Sequence, residues 1–412
     1  MSKHITVVLT EYQFLQTKDK NEKNYIDEKT FTELENFILE NESVAQYLKI
    51  TMKRPFCKVL QAQNYVGVIQ TKSGITIEIL PKIADVEDEK KEKEILIKML
   101  KTLKKSPFKN FNTANLKSTN MPLLEIFISM FLEELSKLIK KGIKSDYISK
   151  SENLKFMKGK FKMSEQIKQN YIHRERFFIE YCEFSNDRIE NRLIKTTLKF
   201  LYSKSKSNGN KKRIREFLFI FDEIKISHNI KIDFDKVKIN RQIKDYEQTL
   251  LWSKTFLLEN SFSPYKGREV AFALLFDMNL LFESYVGQYL KKKGLDVKLQ
   301  DSKHHLAYLK GQGKFRLKPD IVINIKKKEK IIIADTKWKI LNESKTHNGV
   351  NQGDMYQLYA YGTKYENCRN MYLIYPKNNK INGEKYNYLK EKQLNLNIVF
   401  FDLVKDKFRR SM

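Results

Sequence analysis

Cysteine is scarce in this chain: Cys57, Cys182 and Cys368 lie far apart, and their odd number leaves one unpaired. That excludes a Cys-rich zinc site and fits a protein kept reduced in the cytoplasm. The six histidines show no ligand spacing either; His304 and His305 are adjacent and would point to opposite faces of a strand. Long apolar runs are also missing. Residues 121–132 and 270–282 are interrupted by Glu125 and Asp277 and are too short to span a bilayer, so no membrane partner is expected. The apolar run at residues 5–9 has no small-residue cleavage site behind it and reads as a first strand rather than a signal peptide. No G-x-x-x-x-G-K-[ST] occurs, so the chain has no nucleotide motor of its own. No period of 20 to 50 residues repeats. Acidic residues are in deficit, 50 against 78 Lys and Arg, and the net charge of +28 is spread along the chain. Such a surplus favours a polyanionic partner, of which nucleic acid is the usual one, although lysine richness also follows genome composition.

What is present is enough to bury a core. The chain has 412 residues, 41% of them hydrophobic, a length that suggests two or three domains. We expect an α+β multidomain protein with three regions: residues 1–90 β-rich, 91–262 mainly helical, and 263–412 α/β. In the first, a helix near 28–40 interrupts strands, and the clearest signal is the hairpin 64–70 and 75–82 about Lys72-Ser73-Gly74. The charged run 85–94 is a solvated linker or the first turns of a helix. Helical stripes follow over 95–103, 123–139 and 190–201, with a short basic strand-like stretch at 154–161. Residues 204–213 read as an exposed, mobile loop. Ser, Pro and Gly cluster at 261–267 as a second boundary, and 269–293 reads as one long helix carrying Glu283 and stopped by Gly294. Strands at 295–299 and 306–309, a helix opening near Gly353, and strands at 372–376 and 398–401 complete the third region.

The stretch that organises the chain lies there. Phe315 to Ile325 and Ile331 to Lys339 are two β-branched runs flanking a charged turn at about 326–330, a β-hairpin signal. Antiparallel pairing brings Asp320 and Asp335 to the same end. Alternation puts Asp335 and Lys337 on one face and Thr336 on the other. Two carboxylates can hold one or two Mg²⁺ ions while water and phosphate complete the shell. A lysine beside them can orient the attacking water or stabilise the pentavalent oxyanion of phosphodiester cleavage. The alternative is a surface hairpin with an ordinary Asp/Lys ion pair, since a D-x-K triplet recurs by chance in a lysine-rich chain.

Pro319-Asp320 with Asp335-Thr336-Lys337 resembles the signature of the PD-(D/E)xK nucleases. Residues 277–286, the hairpin from Val66-Gly67-Val68 to Leu80-Pro81-Lys82, Cys182-Glu183-Phe184 and Glu190 to Lys195 are similar to the McrC family, over nearly the whole chain. That is the nuclease subunit of modified-cytosine restriction systems. The resemblance implies a C-terminal restriction-endonuclease-like domain that cuts DNA with Mg²⁺, Mn²⁺ being able to substitute. It implies an McrB-like AAA+ ring as partner, which hydrolyses GTP and reads the modified base in double-stranded DNA, and which the N-terminal part of this chain docks into and stimulates. Asp320 and Asp335 are then metal ligands and Lys337 the catalytic lysine. Glu283 is the helix carboxylate assisting the metal, and Gln357 and Tyr361 match a Q-x-x-x-Y element beside the site. Arg316 and Lys318 are the first candidates for DNA contact. Two other readings stand beside this one: a stand-alone repair or recombination nuclease, and a non-catalytic basic adaptor that activates an AAA+ ring and binds DNA by counterion release.

Overall fold

The computed structural model describes residues 6–40, 46–84, 86, 88–104, 106–109, 121–259, 270–324, 330–378, 381, 383–389 and 394–409. The chain forms two compact units, one made of Met1–Leu123 with Phe262–Met412 and the other of Leu124–Ser261. These units do not follow the three regions expected from the sequence, because the N-terminal and C-terminal segments share a sheet.

In the first unit, β1 (Thr6–Thr10) and β2 (Phe14–Leu15) are followed by α1 (Glu28–Glu40), which buries Phe31, Leu34, Phe37 and Ile38 at helical spacing. Next come β3 (Leu48–Lys53), β4 (Cys57–Ala62), β5 (Tyr65–Thr71), β6 (Thr76–Leu80) and α2 (Glu89–Leu100). Asp88 caps α2 by accepting from Lys90 N, so the charged run leads into a helix. Strands β2, β4 and β3 make a small antiparallel sheet, while β1 lies parallel to β6 and β5 antiparallel to it. One core joins Val7, Leu9, Ile69, Ile77 and Ile79 to the apolar face of α1.

The second unit holds α3 (Leu123–Lys140), β7 (Asp146–Leu154), β8 (Lys160–Phe161), α4 (Met163–Gln169), β9 (Phe177–Ser185), α5 (Ile189–Lys204), α6 (Asn208–Ile220), α7 (Ile230–Lys236) and α8 (Glu247–Lys254). It is mainly helical but carries a three-stranded sheet in the order β7-β9-β8. Residues 204–213, expected as a mobile loop, instead end α5 and open α6. The cause lies elsewhere in the sequence. The buried Glu125 carboxylate accepts from Ser205 Oγ, from the Lys206 and Ser207 amides and from Asn210 Nδ2, and Ser207 caps α6. A run without apolar residues is thereby ordered by one buried acceptor.

The chain returns to the first unit with β10 (Val270–Asp277) and α9 (Met278–Lys292), where one long helix was expected. β10 pairs antiparallel with β5 and completes the order β1-β6-β5-β10. Gly67 sits opposite Leu275 with φ of 140°, and a Cβ there would lie 1.9 Å from Leu274 O, so only glycine admits the strand. Asp277 then caps α9 by accepting from Asn279 N. The expected boundary at 261–267 lies outside the described residues.

After α9 follow β11 (Val297–Leu299), β12 (His305–Leu309), β13 (Gln312–Arg316), β14 (Ile321–Ile323), β15 (Ile331–Thr336), α10 (Gln352–Lys364), β16 (Cys368–Pro376), β17 (Lys385–Leu389), β18 (Leu394–Asp402) and β19 (Lys407–Phe408). The main sheet runs β11-β14-β15-β16-β18-β17, with β19 on β18. β15, β16 and β18 are parallel, so their C-terminal ends share one edge. Among the described residues no helix is long and apolar enough to cross a membrane.

Candidate functional site at the strand ends of the main sheet

The β14–β15 hairpin pairs Ile321 with Ala334, Val322 with Ile333 and Ile323 with Ile332. This register continues one step outward to set Asp320 beside Asp335; residues 325–329 of the expected turn lie outside the described residues. Ile331 and Ile333 pack with Leu358 and Tyr361 of α10. By strand alternation the same face carries Asp335 and Lys337 toward that helix.

Lys337 Nζ lies 2.9 Å from Asp335 Oδ2, 3.3 Å from Asp354 Oδ1 and 3.3 Å from Gln357 Oε1. Gln357 Nε2 donates to Tyr361 OH at 2.6 Å, and that hydroxyl donates to Lys318 O at 3.3 Å. Burial alone would lower the ammonium's pKa, but Asp335, Asp354 and Asp320 outweigh it and raise it to about 12. Lys337 is therefore a cation at neutral pH, suited to orienting and to charge stabilisation rather than to accepting a proton.

Asp320 Oδ2 accepts from both the amide and the hydroxyl of Thr336, at 2.8 Å each. Burial pushes the Asp320 carboxyl up, and the charge of Glu283 adds to the rise. Asp335 is 2% exposed; burial raises it, and repulsion from Asp320 raises it further against the pull of Lys337. Its Oδ2 lies 2.9 Å from the Lys337 ammonium as an ion pair, so the buried carboxylate is balanced by that cation.

Glu283, on the buried face of α9, is held differently: Gln300 Nε2 donates to its Oε2 at 3.0 Å. Burial raises its pKa, and the Gln300 bond opposes the rise. Among the described residues no three His, Cys, Asp or Glu side chains converge as a ready metal cage. The Asp320 and Asp335 charges act on each other, and the Glu283 charge acts on Asp320. Lys318 is exposed, with its charge felt at Glu283, and Arg316 is exposed on β13 opposite His305.

Two participants carry no motif and were not read from the sequence. Asp354, in the first turn of α10, is a second anionic partner of Lys337. Gln300 adopts φ of 49°, donates its amide to Asp320 O at 2.8 Å and reaches Glu283 with its side chain, so one residue ties both carboxylate-bearing segments together. An off-region φ at a non-glycine residue beside a site was the signal, and it is visible only in the backbone.

The fold and this constellation define a mixed α/β protein whose strand ends gather a buried carboxylate, a half-buried one and a lysine. The chain belongs to the family described as McrBC 5-methylcytosine restriction system component, whose model matches residues 60–376, more than half of its length. Among solved structures it is similar to a chain in the refined half-complex of the tetradecameric assembly of Thermococcus gammatolerans McrB AAA+ hexamers with bound McrC. That likeness has a TM-score of 0.71 and 19% identity over 97% of this chain and 95% of that one. It is also similar to a chain in the cryo-EM structure of the Thermococcus gammatolerans McrBC complex, with a TM-score of 0.52 and 20% identity, covering 71% and 89%. At such identities the likeness is one of fold. Among curated proteins no match is found.

Proposed function

We propose that this chain is the DNA-cleaving subunit of a modified-cytosine restriction system, a Mg²⁺-dependent endonuclease with a PD-(D/E)xK domain. It would act when assembled with an McrB-like AAA+ GTPase ring whose hydrolysis it stimulates. The observation that carries the reading is the pairing of half-buried Asp320 with buried Asp335, with Lys337 on the same strand end. Two carboxylates suit Mg²⁺, which keeps several waters and takes few protein ligands. Asp320 and Asp335 would hold the ion, with Glu283 assisting from α9. Mg²⁺ bound there supplies positive charge against the scissile phosphate and an acidified water.

The chain's own groups do the rest. Thr336 fixes the Asp320 carboxylate through two bonds, leaving its other oxygen free to turn to a ligand. Lys337, permanently protonated, offers a cation to the oxyanion that develops on the phosphate. Asp354, Gln357 and Tyr361 hold the ammonium in place, so less reorganisation is needed at the moment of reaction. Membership of the restriction family and likeness to a chain from an McrB–McrC assembly support the partner and the substrate. The test is cleavage of cytosine-methylated duplex DNA by the chain mixed with its AAA+ partner, GTP and Mg²⁺. Wild type should cut and Asp335→Asn should not; undiminished cutting by the variant would sink the reading.

A further inference from the structure

Between Asp301 and Asp320 the sequence has Lys303, Lys310, Lys314, Arg316 and Lys318 and no carboxylate at all. The structure makes this stretch a two-stranded ribbon, β12 with β13, that joins no other sheet among the described residues. Lys310 and Gly311 form its turn with φ of 50° and 79°, the two positive values of a type I′ hairpin, and Leu309 faces Gln312 across it. Arg316 opposite His305 and Lys314 opposite Ala307 give one face its charge. Tyr308, 67% exposed, and Phe315, 76% exposed, leave large apolar side chains in solvent. None of the five cations is paired with a carboxylate among the described residues.

The arm is free, but its base is fixed. Leu317 is buried in the main-sheet core and donates its amide to His304 O at 2.9 Å. The His304 ring lies 4.3 Å from that of Tyr365, whose hydroxyl donates to Asp301 Oδ2 at 2.7 Å. Arg316 and Asp320 are four positions apart, a span of at most about 14 Å of chain. A two-stranded ribbon is of a size to enter a groove of duplex DNA. Exposed apolar side chains on such elements wedge against base steps.

We propose that the β12–β13 ribbon is a duplex-DNA arm, lying in a groove beside the phosphate to be cut, with Lys310, Lys314 and Arg316 on the backbone. This rests on the reading of the chain as a DNA-cleaving subunit. A protein partner would also accept the apolar face, but Lys310, Lys314 and Arg316, none of them in an ion pair with a carboxylate among the described residues, favour nucleic acid.

The test is fluorescence anisotropy of a short labelled duplex with the full chain, in EDTA and over a salt series. Lys314→Ala/Arg316→Ala is compared with Lys90→Ala/Lys91→Ala, which removes equal charge from the exposed start of α2. We expect the ribbon pair to weaken binding by about tenfold or more and to reduce the slope of log K against log salt by about 2. The α2 pair should stay near wild type, and Tyr308→Ala should weaken binding with the salt slope unchanged. Equal effects of the two pairs, no duplex binding by wild type, or loss of AAA+ partner association with DNA binding intact would each overturn the proposal. Because no metal is present, this outcome is independent of whether the assembled protein cuts DNA.

Discussion

Trp338 donates its indole N–H to both carboxylate oxygens of Glu11, at 3.0 and 2.8 Å, across 327 residues of sequence. Glu11 also accepts from Lys82 N at 3.0 Å. Trp338 in turn packs edge-on against Phe282, at 5.4 Å between ring centroids, one residue before Glu283. The turn after β1 is thus joined to the strand end that carries Lys337, and each position gives a measurable consequence.

Burial pushes the Glu11 carboxyl up to about 8, against the opposing bonds from Lys82 N and Trp338. A raised folded-state pKa means that the folded protein binds the extra proton, so the contribution of Glu11 to stability is greatest at low pH and is lost as pH climbs through about 8. The raised Asp320 and Asp335 act with the same sign in the metal-free chain. Glu11→Gln should flatten the decline between about pH 5 and 8 by up to about 1.4 kcal/mol per pH unit. Urea midpoints at three pH values check this, and an unchanged slope would refute it.

Gln300 is a positioning residue for Glu283 and for the Asp320 segment. Gln300→Ala should weaken Mn²⁺ binding to the chain by about 10- to 100-fold, as removal of outer-shell partners does. Calorimetric titration reads the affinity directly, and a native circular dichroism spectrum separates lost ligand geometry from lost fold.

Lys337→Met should lower single-turnover cleavage by the assembled complex by about 10²- to 10³-fold, the scale of losing one preorganised donor. Asp354→Asn leaves the ammonium in place but removes one of its two anionic anchors, and should cost about tenfold. Equal losses in the two variants would mean that Asp354 does more than hold the lysine.

Glu125→Ala strips the partner from buried donors at the α5–α6 junction. A loss of about 3 kcal/mol or more in the stability of the second unit is expected. Hydrogen exchange should show the Lys206 and Ser207 amides opening first; if their protection survives, the carboxylate is not what orders this segment.

The sequence made the Asp320–Asp335 pairing legible because two β-branched runs and a charged turn set the register locally. The bounds of α1 were legible for a similar reason, since its apolar positions repeat within one short segment. Residues 270–282 misled because the same apolar positions satisfy both a helical stripe and a strand. What decides between them is β5, about 200 residues upstream, waiting for a partner at its edge. Residues 204–213 misled because their acceptor, Glu125, lies in α3. Asp354 and Gln300 belong to no pattern, and only folding brings them to the lysine and to Glu283.

The pairing of β10 with β5 bears on how the protein can be divided. A fragment beginning at residue 263 contains Asp320, Asp335 and Lys337 but takes β10 away from its neighbour, exposing an apolar edge strand that invites aggregation. It also removes Glu11 from beneath Trp338. Expressing that half alone would therefore misrepresent it. The segment Leu124–Ser261, by contrast, forms a compact unit of its own and supplies no strand to the β1-β6-β5-β10 sheet, so a division of the chain should follow that unit and not the midpoint of the sequence.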